Sequence, residues 1–269
     1  MVITTNLLTD THCHLNFRSF DADREHVLER AAQHGVAQII NPGINLQASR
    51  DAVALADEFP AVYAAVGIHP NEAVQSGSEI IRELRQLARN PKVAAIGEIG
   101  LDYHHDQVSH PDQASNFRAQ LDLAAELGLP VIIHCREAYS DVYAIIEHWQ
   151  AQGGPQSGNV GVFHSFSGDQ ADAQVVLSLG FCLGITGSIT FPRANRLRQI
   201  VADAPLESLV IETDAPFLTP QARRGKRNEP AYVRWVADKI ADERGISSEK
   251  LARATTSNAA KLFAWDNPT

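Results

Sequence analysis

Pro130-Val131-Ile132-Ile133-His134-Cys135-Arg136, then a helical stretch from Ala138 to Gln152, then Val160-Gly161-Val162-Phe163-His164-Ser165-Phe166: this unit carries the pattern of the whole chain. Each apolar run is short and continuous, as expected of a strand buried on both faces. Each also ends in a histidine. The segment between them supplies the helix that a parallel crossover needs, and Gly153-Gly154-Pro155 breaks it.

The same β-then-α unit recurs in both directions. Upstream, an opening strand, Asn6-Leu7-Leu8, runs into Asp10-Thr11-His12-Cys13-His14-Leu15. Val36–Ile40 ends in Asn41-Pro42-Gly43, Ala61–Val66 in Gly67-Ile68-His69-Pro70, and Val93–Ile96 in Gly97-Glu98-Ile99-Gly100-Leu101-Asp102-Tyr103. Downstream, Phe181–Ile185 is a strand weakened by its glycine, and Ser208–Ile211 ends in Glu212-Thr213-Asp214-Ala215-Pro216. Apolar spacing predicts helices over 21–35, 46–59, 78–89, 113–127, 138–152, 169–180, 196–202, 229–244 and 248–263. That makes about eight units in 269 residues, the length of a (β/α)8 TIM barrel. An open doubly wound sheet fits the same alternation, but neither GxGxxG after the first strand nor GxxxxGK[ST] occurs. Repeats, low-complexity tracts and linkers are absent, so residues 1–269 read as a single domain.

Hydrophobic residues make up 44% and charged residues 20%, the balance of a soluble globular enzyme. No apolar run approaches the roughly 20 residues of a membrane span. The segment Met1-Val2-Ile3-Thr4-Thr5-Asn6 has neither a basic stretch nor a signal-type cleavage site. Cys13, Cys135 and Cys182 are odd in number and far apart, which argues against a disulfide framework. A cytoplasmic protein without an obligate protein partner is the economical expectation. A net charge of −9 disfavours wrapping of nucleic acid, yet a few arginines and bound cations can reverse the sign locally.

His12, His14, His69, Glu98, His134, His164 and Asp214 all fall at or just past the C-terminal end of a predicted strand. In a parallel barrel these ends converge on the face that carries active sites. Strand alternation points His12 and His14 the same way and turns Cys13 and Cys135 aside, as packed residues rather than ligands. Any one of these histidines also fits a hydrogen-bonded structural role. Together, four histidines (His12, His14, His134, His164) and two carboxylates (Glu98, Asp214) exceed what one tetrahedral ion needs. Two divalent ions sharing a carboxylate would acidify and orient a water for hydrolysis. Asp214 suits the proton transfer, while Glu212, one residue pair deeper, suits a supporting position. Such donors accommodate Zn, Mn or Ni, whereas Mg favours an oxygen-rich site.

Arg223-Arg224-Gly225-Lys226-Arg227-Asn228-Glu229-Pro230 is the densest basic cluster of an acidic chain. At a barrel mouth it would suit a phosphate-bearing substrate, as would Arg136; as a surface loop it would simply be solvated.

Taken together, the quoted strand-end motifs resemble those of the TatD-type metal-dependent deoxyribonucleases, a branch of the amidohydrolase-like metallohydrolases. Arg224-Gly225-Lys226-Arg227-Asn228-Glu229-Pro230 and the closing Asn258-Ala259-Ala260-Lys261-Leu262-Phe263 extend the resemblance over essentially the whole chain. It implies a distorted TIM barrel with a divalent metal site. By this resemblance His12 and His14 hold one ion with Asp214, Glu98 bridges, and His134 and His164 hold the second. Glu98 and Asp214 are then the catalytic carboxylates. His69, Arg136, Arg224, Lys226, Arg227 and Asn228 face the substrate phosphate. The implied activity is 3'-to-5' exonucleolytic cleavage of DNA strand ends. Where many relatives carry an aromatic run after Tyr103, this chain has His104-His105-Asp106, and either histidine is a candidate extra contact. Two other readings compete. One is hydrolysis of a small amide, lactone or aminoacyl ester by the same ligands. The other is metal-dependent binding of a phosphate ligand without turnover.

Overall fold

The structure, a computed structural model, describes residues 7–74, 77–105, 107–156, 158 and 160–266. The residues Met1-Val2-Ile3-Thr4-Thr5-Asn6 and Asp106, named above, lie outside them. Eight strands form one parallel sheet in chain order: β1 (Leu8–Asp10), β2 (Val36–Pro42), β3 (Val62–Val66), β4 (Val93–Asp102), β5 (Val131–Arg136), β6 (Gly161–Phe163), β7 (Cys182–Ile185) and β8 (Leu209–Ile211). The chain beyond β8 returns beside the chain beyond β1. Thr11 N–H donates to Ile211 O (3.1 Å), Asp214 N–H to His12 O (2.8 Å) and His14 N–H to Ala215 O (2.8 Å). The sheet is thus a nearly closed barrel and not the open alternative. Its last seam is stitched by the two segments that carry His12, His14 and Asp214.

Helices cover the outside: α1 (Arg24–Gln33), α2 (Leu46–Glu58), α3 (Ser78–Leu87), α4 (His110–Leu127), α5 (Tyr139–Ala151), α6 (Gln170–Ser178), α7 (Asn195–Asp203), α8 (Val233–Arg244) and α9 (Ser248–Phe263). Helix α4 starts earlier than the predicted Gln113 because Ser109 Oγ accepts the Asp112 N–H, and Pro111 sits in the first turn. Conversely, α8 starts later than position 229, because Pro230–Tyr232 forms a 3-10 turn first.

The larger correction concerns β4, expected to stop at Ile96. It continues to Asp102, with one extra residue against β5 between Ile96 and Ile99. Gly100 makes the extension possible. Its φ is +142°, and a Cβ there would lie 2.0 Å from the His134 carbonyl oxygen. The glycine of β7 has a comparable reason: a Cβ on Gly184 would meet the Glu212 carboxylate at 2.7 Å.

Two apolar layers hold the barrel. The outer layer packs strands against helices, with Phe117, Leu121, Ile146 and Ile240 fully buried. The inner layer is formed by Ile40, Ala65, Ala95, Ile132, Val162 and Val210, and is continued by Ala259, Leu262 and Phe263 of α9. Helix α9 closes the N-terminal end of the barrel. Thr256 Oγ1 donates to Leu7 O (3.0 Å), and Asn258 Nδ2 to Leu206 O and Leu209 O (both 2.8 Å). The opposite end stays open to solvent through a cavity of about 830 Å³.

Candidate active site

Glu98 is the hub of that open end. It is 3% exposed, and its two oxygens serve different neighbours. Oε2 lies 3.5 Å from His12 Nε2 and 3.8 Å from His14 Nε2. Asp214 Oδ1 completes this group, 3.8 Å from His12 Nε2 and 3.5 Å from His14 Nε2, while the two Nε2 atoms are 3.2 Å apart. His12, His14 and Glu98 thus lie close enough together to hold one cation, and so do His12, His164 and Asp214. Oε1 faces the other way, 2.8 Å from His134 Nδ1 and 2.9 Å from His164 Nε2. The donor set, imidazole nitrogens and carboxylate oxygens, suits divalent zinc-like ions on both sides.

Burial and close charges set the protonation of these groups, and His12 and His164, which face different Glu98 oxygens, stack at 3.9 Å. Burial, and then the His164 charge, push His12 down from its ordinary value, leaving the neutral form that binds metals. Burial opposes ionisation of Glu98, but His164, His69 and His12 outweigh it and hold the carboxylate well below its usual range. Burial likewise works against protonation of His164, and the Glu98 charge overrides it, raising His164 well above normal. Cations binding at His134 and His164 would therefore release protons.

Supporting groups fix these side chains from behind. Asp10, fully buried, accepts from Thr213 N–H (2.9 Å) and Thr213 Oγ1 (2.6 Å), tying the His-x-His segment to Glu212-Thr213-Asp214. Burial pushes its carboxyl up to about 8 despite these bonds. Glu212 lies 3.5 Å from His164 Nδ1 and accepts from Thr11 Oγ1 at 3.2 Å, the supporting position expected for it. On the other flank Asp102, 1% exposed, lies 3.3 Å from His134 Nε2. Ser165 and Asp214 have φ of 47° and 54°, left-handed conformations at two of the strand ends.

His69 groups with Glu98 and His134 closely enough to suggest a further cation site. Its hydrogen bonding argues otherwise. His69 Nδ1 accepts the Asn71 N–H at 3.1 Å, and burial, followed by the His134 charge, lowers His69 to about 3. A neutral ring with Nδ1 accepting carries its proton on Nε2, so His69 donates rather than ligates.

Arg136 lines the cavity wall as expected. The basic loop does not supply the contacts expected of it. Arg227 forks onto Asp23 (2.8 Å from each guanidinium nitrogen) and stacks over Phe20 at 4.4 Å. Asn228 is buried and donates to Thr213 O (2.9 Å) and Phe217 O (2.6 Å). Both hold the loop in place instead of facing a ligand. Arg224 and Lys226 are exposed and are not part of the cavity lining. Cys13 is in the core, as strand alternation requires, whereas Cys135 is half-buried and reaches the cavity wall.

Sequence reasoning overlooked three cavity residues. Asp102 had a signal, since it stands four positions after Glu98, but the glycines hid the continuation of β4. Phe17 stacks on His14 at 4.5 Å, and Phe217, 52% exposed, stands 6.1 Å from Phe17. Both lie in irregular segments, where no periodicity gives them away.

A parallel barrel with imidazoles and carboxylates gathered at the C-terminal strand ends defines a barrel metallohydrolase. The chain belongs to the TatD related DNase family, whose model matches residues 9–264. YabD of Bacillus subtilis (strain 168), described as an uncharacterized metal-dependent hydrolase, is 40% identical over 257 residues, 96% of this chain and 99% of its own. A 3'-5' ssDNA/RNA exonuclease TatD of Pantoea vagans is 37% identical over 260 residues, 94% of this chain and 98% of its own. The crystal structure of YjjV, a TatD homologue from Escherichia coli K12, superposes with a TM-score of 0.90 at 34% identity, covering 97% of this chain and 99% of its own. The chain is thus a metal-dependent hydrolase. Among the described residues no helix is long and apolar enough to cross a membrane.

Proposed function

We propose that this hydrolase cleaves phosphodiester bonds at DNA strand ends, as a 3'-to-5' exonuclease using two divalent ions, in the cytoplasm. One observation carries the reading: Glu98 turns one oxygen to His12 and His14, which also face Asp214, and the other to His134 and His164, on the floor of one cavity. Cations held there would supply a water of lowered pKa and neutralise charge on the phosphoryl oxygens. The protein's own groups do the rest. Asp214 takes the proton of the attacking water. Arg136 and the Nε2–H of His69 hold the phosphate from the wall. Phe17 and Phe217 offer an aromatic face on which a terminal base can stack. The TatD name of the Pantoea vagans relative supports the same substrate class.

The test is end-labelled single-stranded DNA incubated with metal-loaded and chelator-stripped protein. Stepwise shortening from the 3' end with loaded protein only is the expected result. Equal degradation by both preparations, or none by either, contradicts the proposal. One observation favours a smaller ester or amide substrate: Arg136 is the only Arg or Lys in the cavity lining among the described residues. A parallel panel of amide, lactone and aminoacyl ester substrates separates that reading, and ligand recovered intact would indicate binding without turnover.

A further inference from the structure

His104 and His105 follow the end of β4, and the structure gives them different surroundings. His104 Nδ1 pairs with exposed Glu137 at 2.8 Å, away from the cavity lining. His105 lines the cavity. Its Nδ1 lies 2.8 Å from Asp102 Oδ2, and its backbone N–H donates to Asp102 Oδ1 at 3.1 Å. Asp102 is buried, and its carboxylate accepts from the His104 and His105 N–H groups and Asn71 Nδ2, pairs with His105 Nδ1, and lies 3.3 Å from His134 Nε2. An acceptor of that kind fixes the His105 proton on Nδ1. The side chain is 42% exposed while Nδ1 is anchored on a carboxylate of 1% exposure, so the ring edge bearing Nε2 is the part left to the cavity. A histidine oriented through Nδ1 by a buried carboxylate is a recurrent arrangement for proton transfer at Nε2.

Position gives this dyad a task. Contacts across the cavity floor run from Asp214 to His12 and His14, then Glu98, His134, Asp102 and finally His105. Asp214 and His105 are the two ends of that series. Phosphoryl transfer is in line, with the attacking and leaving oxygens on opposite sides of phosphorus. If the attacking water is served by Asp214, the leaving oxygen departs towards the Asp102 end.

We infer that His105, held by Asp102, is the catalytic acid that protonates the leaving nucleoside oxygen. The inference rests on the phosphodiesterase reading and extends it. In the step, the bond from water oxygen to phosphorus forms as the bond from phosphorus to the leaving oxygen breaks. One water proton passes to Asp214, and His105, acting as the imidazolium, gives its Nε2 proton to the leaving oxygen while its Nδ1 proton stays hydrogen-bonded to Asp102. Solvent then returns a proton to His105 and takes one from Asp214, so the sum is diester plus water to monoester plus alcohol. The other charged or titratable groups that share the cavity with His105 are His14, Glu98, Asp102, Cys135, His164 and Asp214, together with His134 and Arg136 from β5 and His69 and Glu72 from the segment after β3.

The experiment compares two substrates in wild type, His105→Ala and His105→Gln. An oligothymidylate has a poor alkoxide leaving group and needs the acid. A p-nitrophenyl phosphodiester of thymidine releases a stabilised phenolate and does not. Loss of a general acid lowers kcat on the oligonucleotide about 100-fold and leaves kcat on the p-nitrophenyl diester within about threefold. The Gln variant retains a donor to Asp102, so it keeps the loop in place while lacking the acid. Equal losses on both substrates mean a structural or binding role and overturn the inference, as does an unchanged rate on the oligonucleotide. If wild type cleaves neither diester, the phosphodiesterase reading itself fails and takes this inference with it. A wild type active on both separates the two failures.

Discussion

Glu98 shows how one side chain organises the chemistry. A carboxylate of 3% exposure among five imidazoles would be costly to keep ionised if it lacked donors, and it has them on both oxygens. The histidines and Asp214 around it were legible because each ends an apolar strand, a position that carries meaning in a parallel sheet. Arg227 was not legible in the same way. Its charge suggested a phosphate, but its partner Asp23 lies 204 positions away, and composition cannot reveal such a pairing. Nor could periodicity reveal Phe217. If a base stacks on it, Phe217→Ala removes about 1–3 kcal/mol of binding. A tenfold change in affinity corresponds to about 1.4 kcal/mol, so KM for single-stranded DNA rises about 5- to 150-fold, with kcat little changed. Steady-state kinetics on an oligonucleotide check this; a fall in kcat at constant KM would contradict the stacking role.

At the scale of elements, the strand ends act as brackets, and their irregularities do the aiming. The alternation of apolar strands and amphipathic helices was readable along the whole chain, because burial between sheet and helices demands it. The course of β4 was not, since glycines ordinarily mark the end of a strand in sequence. Here Gly100 lets β4 approach the β5 backbone and carries the strand on from Glu98 to Asp102. Gly100→Ala places a Cβ against the His134 carbonyl in a backbone conformation that alanine resists. We expect a destabilisation of at least about 2 kcal/mol, together with weaker metal binding, because Glu98 and His134 both move. Urea denaturation and metal titration of the variant check both effects. A variant as stable as wild type with unaltered metal affinity would show that the close approach of β4 to β5 is dispensable.

For the molecule as a whole, the barrel sets structure and chemistry at opposite ends. Helix α9 seals the N-terminal mouth with Ala259, Leu262 and Phe263, while the C-terminal mouth gathers polar groups from most of the strands. His12 and Asp214 are neighbours because β8 returns to β1, a closure that the sequence pattern left undecided against an open sheet. On the proposed reading this open end holds two cations across Glu98, with His12 and His14 serving only one of them. Elemental analysis of metal-reconstituted wild type and of the His12→Ala/His14→Ala variant tests it most directly. The expected result is about two equivalents per wild-type chain and about one in a folded variant. Equal metal content in the two proteins, or none bound by wild type, would contradict it.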